Sequence, residues 1–231
     1  LAVEAGVKFD AHYNVTGVDH PELIYFMRRN YSDVTREPYK VSMWRMIEKK
    51  GLPTRTKRFC CAELKERGGK GRITVTGVRW AESVKRKNQR KPLEVQKSKE
   101  FILFDDNDEG RRLFENCMQK GQRVVNPIID WLEEDVWEYL NSRKIEHCKL
   151  YDEGYKRLGC IGCPMSAHQE QELKDYPKFY NAYYRAIERF LPAYFERCKA
   201  KGKEPFRKTA QEWMDWWIYE IEEIDYTNSL L

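Results

Sequence analysis

Seven cysteines stand in the 231 residues, and four of them are spaced for chemistry. Cys60 and Cys61 are adjacent, and Cys160 and Cys163 form a C-x-x-C inside the glycine-framed string G-C-I-G-C-P. Thiolates are soft ligands, and a set of four selects zinc or an iron–sulfur cluster. The adjacent pair favours the cluster. Neighbouring residues send their Cβ atoms apart, which suits one shared tetrahedral ion poorly. In a cubane each cysteine binds its own iron at a separate corner, so neighbours can both serve. The spacing therefore points to a 4Fe–4S cluster held by Cys60, Cys61, Cys160 and Cys163, with zinc the less favoured metal. Two plainer readings stand beside it: small buried core residues, or a redox dithiol at the C-x-x-C. Cys117, Cys148 and Cys198 stand singly and read as structural.

Composition limits the setting for such a site. Apolar residues make up 41% and charged residues 34%, ordinary for a folded domain that needs no disulfide staples. There is no stretch of about 18 apolar residues, so no membrane span is expected. The start, LAVEAGVKFDAHYNV, lacks the charged and apolar regions of a signal peptide. It also lacks an initiator Met and runs almost at once into strand-like sequence, so it reads as a fragment or as a chain that has lost an upstream segment. An odd, uneven cysteine count without a secretory signal favours metal or redox use over a disulfide framework, and a cytoplasmic location. The net charge of +5 permits an anionic partner without demanding a nucleic acid.

The elements that must position the cysteines alternate in type. Val7–Val15 reads as a strand, and Glu22–Arg29 as a helix with Pro21 in its first turn. Tyr39–Lys50 is an amphipathic helix stopped by Gly51 and Pro53. Arg72–Val78 is β-branched and reads as a buried parallel strand. Gln122–Ile129 is extended, and Trp131–Ser142 is helical with Asp130 as its expected N-cap. Strands alternating with helices predict an α/β fold with a parallel, doubly wound sheet, N-terminally incomplete. From Gln169 onward the pattern becomes wholly helical and aromatic, over Glu170–Lys201 and Lys208–Glu223. The expected organisation is an α/β domain over 1–168 and an aromatic-rich helical extension over 169–231. Lys85–Lys99, KRKNQRKPLEVQKSK, reads as an exposed linker.

Several strings then fall into one family order: TGVDHPE (Thr16–Glu22), CCAELK (Cys60–Lys65), TGVRWAESVKR (Thr76–Arg86), NPIIDWLEEDVW (Asn126–Trp137) and LYDEGYKRLGCIGC (Leu150–Cys163). In these the sequence resembles the adenylyl-sulfate and phosphoadenylyl-sulfate reductases of the PP-loop superfamily, whose sheet is of the adenine-nucleotide α-hydrolase kind. The resemblance spans about two thirds of the chain. It implies that the paired cysteines and the C-x-x-C hold a 4Fe–4S cluster beside the anionic end of a sulfonucleotide. It further implies that Arg79 and Arg86 clamp phosphate or sulfate through forked hydrogen bonds, with Glu82 and Ser83 ordering their loop. Spacing alone allows a plainer reading, a solvated helix face on which Glu82 pairs with the arginines. Thr16 and Gly17 occupy the family's adenosine loop, with Val15 where the family carries Asp. Lys65 would bring positive charge to cluster and substrate, or is a surface lysine.

Two family features have no counterpart in the chain. The Ser-Gly-Gly-x-Asp-Ser phosphate loop is absent, and no cysteine follows Cys198. No catalytic residue is therefore named. The leading expectation is an iron–sulfur oxidoreductase or sulfur transferase acting on an adenylylated or sulfated nucleotide, an adenylyl sulfate or ATP, with a redox or sulfur-donor protein as partner. A second is a nucleic-acid sulfur-modifying enzyme resembling the DNA phosphorothioation proteins, using Lys85–Lys99 and the aromatic helices. A third is a non-enzymatic nucleotide sensor or complex subunit. Its interface would draw on Tyr176, Tyr180, Tyr183, Tyr184, Trp213, Trp216 and Trp217.

Overall fold

The computed structural model describes residues 1–66, 68–69, 71–96, 100–117 and 121–220. The chain divides into two compact units, the first made of Leu1–Arg67 with His147–Leu231 and the second of Gly68–Glu146. The cysteine pairs both belong to the first.

In the first unit, β1 (His12–Asn14) and β2 (Thr35–Glu37) pair in parallel, joined through α1 (Pro21–Asn30). Pro21 sits in the first turn of α1, where its missing N–H costs nothing. The helix expected from Tyr39 begins later, as α2 (Met43–Lys50). Ser42 takes the N-cap and its side chain accepts from Arg45 N at 3.3 Å, which fixes the start four residues later than expected. Gly51 ends it at φ 77°, as the sequence pattern predicts. A short helix, α3 (Phe59–Leu64), carries Cys60 and Cys61.

After the second unit the chain returns through α7 (Gln169–Asp175), α8 (Pro177–Ala200) and α9 (Ala210–Asp215), with a π-turn over Trp216–Glu220. The single helix expected over Glu170–Lys201 is broken at Tyr176. Pro177 begins α8, and the residue before a proline is disfavoured in helical backbone. Thr209 and Glu212 form a capping box on α9, with Thr209 Oγ1 accepting from Glu212 N at 3.1 Å. The end of the expected Lys208–Glu223 helix, residues 221–223, lies outside the described residues.

These aromatic helices build the core of the unit. Ile187, Phe190, Trp213, Trp216 and Trp217 are wholly buried with Ile47 of α2. The rings of Phe190 and Trp213 meet edge to face at 5.5 Å, and Trp217 Nε1 donates to Pro53 O at 2.7 Å. Truncating one such aromatic to alanine would cost about 3–5 kcal/mol.

The second unit holds a four-stranded sheet in the order β3 (Ile73–Val75), β6 (Gln122–Val125), β4 (Leu93–Gln96), β5 (Phe101–Phe104). The α/β class is as expected, with parallel pairing at β1–β2 and β3–β6. Strand β4, which pairs antiparallel with both β5 and β6, comes from sequence that reads as a linker. Lys85–Lys99 is not an exposed linker: all of α4 (Val84–Gln89) but its first residue and all of β4 lie within it, and Leu93, Glu94 and Val95 are buried. Only residues 97–99 of that stretch lie outside the described residues. α5 (Asp108–Glu115), capped by Asn107 Oδ1 on Gly110 N at 2.7 Å, packs Phe114 on Leu93 and Val95.

Glu94 faces the other side of the sheet, fully buried. It accepts from Arg90 Nε at 2.7 and 3.0 Å, Lys91 N at 3.1 Å, Gln96 Nε2 at 2.8 Å and Asn126 Nδ2 at 2.9 Å. Last in the unit comes α6 (Glu133–Ser142). Its N-cap is Leu132 rather than Asp130, because Asp135 reaches back to Leu132 N at 2.7 Å. No helix among the described residues is long and apolar enough to cross a membrane.

Candidate metal centre

The two cysteine pairs, about a hundred residues apart in sequence, line one cavity in the first unit together with Lys65 and Tyr183. Cys60 and Cys61 sit in the first turn of α3, where successive side chains leave the axis in different directions. Cys160 and Cys163 sit on a tight turn whose start is pinned to the Thr16–His20 loop. Asp19 and Cys160 form an antiparallel β-bridge, and Ile161 N donates to Val18 O at 2.8 Å. Thr16 is buried, and its Oγ1 accepts from Val18 N at 3.2 Å and from the Cys160 thiol at 3.7 Å. Gly17 adopts φ +76°, and a Cβ there would meet the Tyr39 ring at 2.7 Å, so the loop requires glycine.

Charge is arranged around the thiols. Arg58 Nη2 donates to Cys61 Sγ at 3.6 Å. The Cys61 thiol is pulled down to about 5, first by the hydrogen bond from Cys60 and then by Arg58 and Lys65. Cys60, the donor of that bond, is pushed up correspondingly, with burial adding to the shift. Burial likewise raises Cys160, against the pull of Lys65 and Thr16. Burial alone would lower Lys65, but the cysteines outweigh it, Cys160 foremost, and its value rises. Lys65 is an exposed residue whose ammonium is thus directed at the cysteines, Cys160 foremost.

The residues present suit a cluster in their donor chemistry: four soft thiols from two segments around one space, with two cations nearby. Among the described residues no group of three or more His, Cys, Asp or Glu converges tightly enough to hold a single ion.

Arg79, Glu82, Ser83 and Arg86 belong to the second unit. Ser83 Oγ caps α4 by accepting from Arg86 N at 3.2 Å. Glu82 pairs with the Arg86 guanidinium and accepts from Arg79 N at 3.3 Å. Arg79 is mostly buried. Its Nη2 lies 3.8 Å from Glu133, while its Nη1 is buried with no hydrogen-bond partner among the described residues. An unsatisfied buried guanidinium nitrogen is costly, and an anion would satisfy it.

Several residues at the thiol site carried no signal in the sequence. Arg58 was hidden in a basic run. Asp19, which accepts from Thr16 N at 2.8 Å, and His20, whose Nδ1 lies 3.2 Å from Gly159 O, have nothing in their own spacing to set them apart within TGVDHPE. Glu172 and Gln169 looked like the polar face of a helix.

The chain belongs to the phosphoadenosine phosphosulfate reductase domain family, whose model matches residues 1–166. An uncharacterized protein of Methanocaldococcus jannaschii is 29% identical over 160 residues, covering 64% of this chain and 33% of that protein. A second from the same organism is 24% identical over 204 residues, covering 80% of this chain and 37% of the other. The chain thus spans about a third of the length of these relatives. The adenosine 5'-phosphosulfate reductase of Anoxybacillus flavithermus is 36% identical over 62 residues, 26% of each chain. The crystal structure of phosphoadenylyl-sulfate reductase from Candida auris, a phosphate complex, covers 68% of this chain and 71% of that one, with TM-score 0.43 and 18% identity.

Proposed function

We propose that the chain is the cluster-bearing part of an enzyme that reduces or transfers sulfur on an adenylylated or sulfated nucleotide. The observation that carries this reading is the gathering of Cys60, Cys61, Cys160 and Cys163 around one cavity, with Lys65 directed at them. The four thiolates would hold a 4Fe–4S cluster, which supplies electron transfer and strong local electrostatics when bound. The chain's own residues supply the rest. Arg58 and Lys65 offset part of the charge of the thiolates and place two cationic groups beside them, to which a phosphate or sulfate group could bind. In the second unit, Arg79, whose buried Nη1 has no partner among the described residues, offers a forked donor to an anion, and Glu82 holds that loop in shape. Thr16 orients the Cys160 thiol.

The test is anaerobic purification of wild type and Cys160→Ser, with iron, sulfide and zinc analysis and an absorption spectrum. About four irons and four sulfides with a broad band near roughly 400 nm, lost in the variant, is the expected result. Zinc, or no metal in wild type, would overturn the cluster. Arg79→Ala is then expected to weaken adenylyl-sulfate binding by about 1.5–3 kcal/mol, the worth of a hydrogen bond to a charged group. Unchanged affinity would remove Arg79 from the anion site.

A further inference from the structure

The C-x-x-C turn is gripped from behind mostly by residues beyond the family match. Glu172 on α7 is 2% exposed, and it accepts from Gly162 N and from Ser166 Oγ, each at 2.9 Å. Gln169, one turn earlier, is also buried and donates to Gly162 O at 3.3 Å. Both backbone polar groups of Gly162 are thus taken by side chains of one short helix. Tyr183 on α8 donates to Ile161 O at 2.9 Å, and Arg55 Nε donates to Pro164 O at 3.1 Å. Gly162 sits at φ +71°, where a Cβ would lie 2.9 Å from Leu173 and 3.2 Å from Tyr183. A turn with this backbone, in a buried place, needs its N–H and C=O satisfied before any metal arrives.

We infer that Glu172 is the positioning residue of the thiol site: its carboxylate locks the C-x-x-C turn into the form that presents Cys160 and Cys163 to the cavity, and so governs how firmly a cluster is retained. The purpose assigned to this lock rests on the cluster reading above; the lock itself does not. Residues that orient metal ligands from behind typically change metal affinity about 10–100-fold when removed. Glu172 touches no thiol, so its effect passes through the Gly162 and Ser166 hydrogen bonds. α7 thereby gains a role that its sequence, QEQELKD, does not advertise.

Three variants separate reach from charge. Glu172→Ala removes both acceptors. Glu172→Asp keeps the charge but falls one methylene short. Glu172→Gln keeps an acceptor for Gly162 N–H and an amide that can bond Ser166 Oγ. In metal-free protein, amide exchange across residues 159–166 is expected to quicken about tenfold in the alanine and aspartate variants, the loss of roughly one hydrogen bond. The glutamine variant is expected to match wild type. In iron-reconstituted protein, release of iron to a chelator is expected to quicken about 10–100-fold in the same two variants and to be rescued by glutamine.

Wild-type exchange in both short variants would overturn the lock. Wild-type iron release with a loosened turn would overturn its role in retention. A loosened turn in a protein whose wild type takes up no iron would uphold the lock and overturn the cluster reading. If the alanine variant does not fold, the aspartate and glutamine pair alone decides.

Discussion

Cys61 shows how strongly a few neighbours set the chemistry of one residue. Held as a thiolate by Cys60, Arg58 and Lys65, it titrates about 5, against about 8.5 for a free cysteine. The folded value lies below the unfolded one, so the stability this thiolate contributes is full above about pH 8.5. That contribution declines as pH falls and is gone below about 5. In metal-free protein, alkylation at Cys61 is therefore expected to remain fast down to about pH 6 and to fall off near 5, with Cys60 unreactive throughout. Mass-spectrometric mapping of iodoacetamide labelling against pH checks this, and Arg58→Ala should move the fall-off upward. The four thiols were legible in the sequence because cysteine has few other uses at such spacings. Glu172 and Glu94 were not, because a glutamate amid charged neighbours looks the same whether it faces water or a buried donor. Only the fold turns Glu172 toward Gly162 and Glu94 toward Asn126.

Element boundaries followed local chemistry wherever a capping side chain or a proline decided them. Pro21, Gly51 and the helical periodicity of α2 and α6 were readable for that reason. The break at Tyr176–Pro177 was written in the sequence too, but the unbroken aromatic pattern on either side masked it. β4 escaped notice because the lysines and arginines around LEVQ outweighed a four-residue strand whose Glu94 is buried polar rather than apolar. Pro192 is an element-scale anomaly of a different kind. It lies on the exposed face inside α8, where it forfeits one backbone hydrogen bond. Pro192→Ala is expected to stabilise the chain, by up to ~3 kcal/mol, as a rise in the denaturant midpoint at constant slope. An unchanged or lower midpoint would mean that the core side of α8 is fitted to the proline's bend.

At the scale of the whole molecule, each compact unit has its own core, and the second is organised around a buried charge rather than apolar packing alone. Glu94→Ala would strand Arg90 and Asn126 without their acceptor, at a cost of about 3–5 kcal/mol. Exchange across residues 71–96 and 121–146 should quicken accordingly. Replacing Arg90 and Glu94 together with apolar residues of similar size should cost much less, since both desolvation penalties vanish together. Equal losses in the single and double variants would show that the ion pair does not carry this stability. The sequence pattern, reading alternation along the chain, made the α/β class visible. It did not reveal that the first unit closes around residues from both ends of the chain, since periodicity records what each segment buries and not which distant segment it meets.

That closure sets an order of events on the ribosome. Cys60 and Cys61 leave the exit tunnel about a hundred residues before Cys160, and α7, which grips the later pair, follows a few residues after Cys163. At about 5–20 residues per second, the adjacent thiols wait roughly 5–20 s for their counterparts. Through that interval the nascent chain carries a half-built soft-ligand site with neither its partner turn nor the Glu172 lock. Oxidants and adventitious metals in the cell therefore meet the first pair alone, before the fold can shield it.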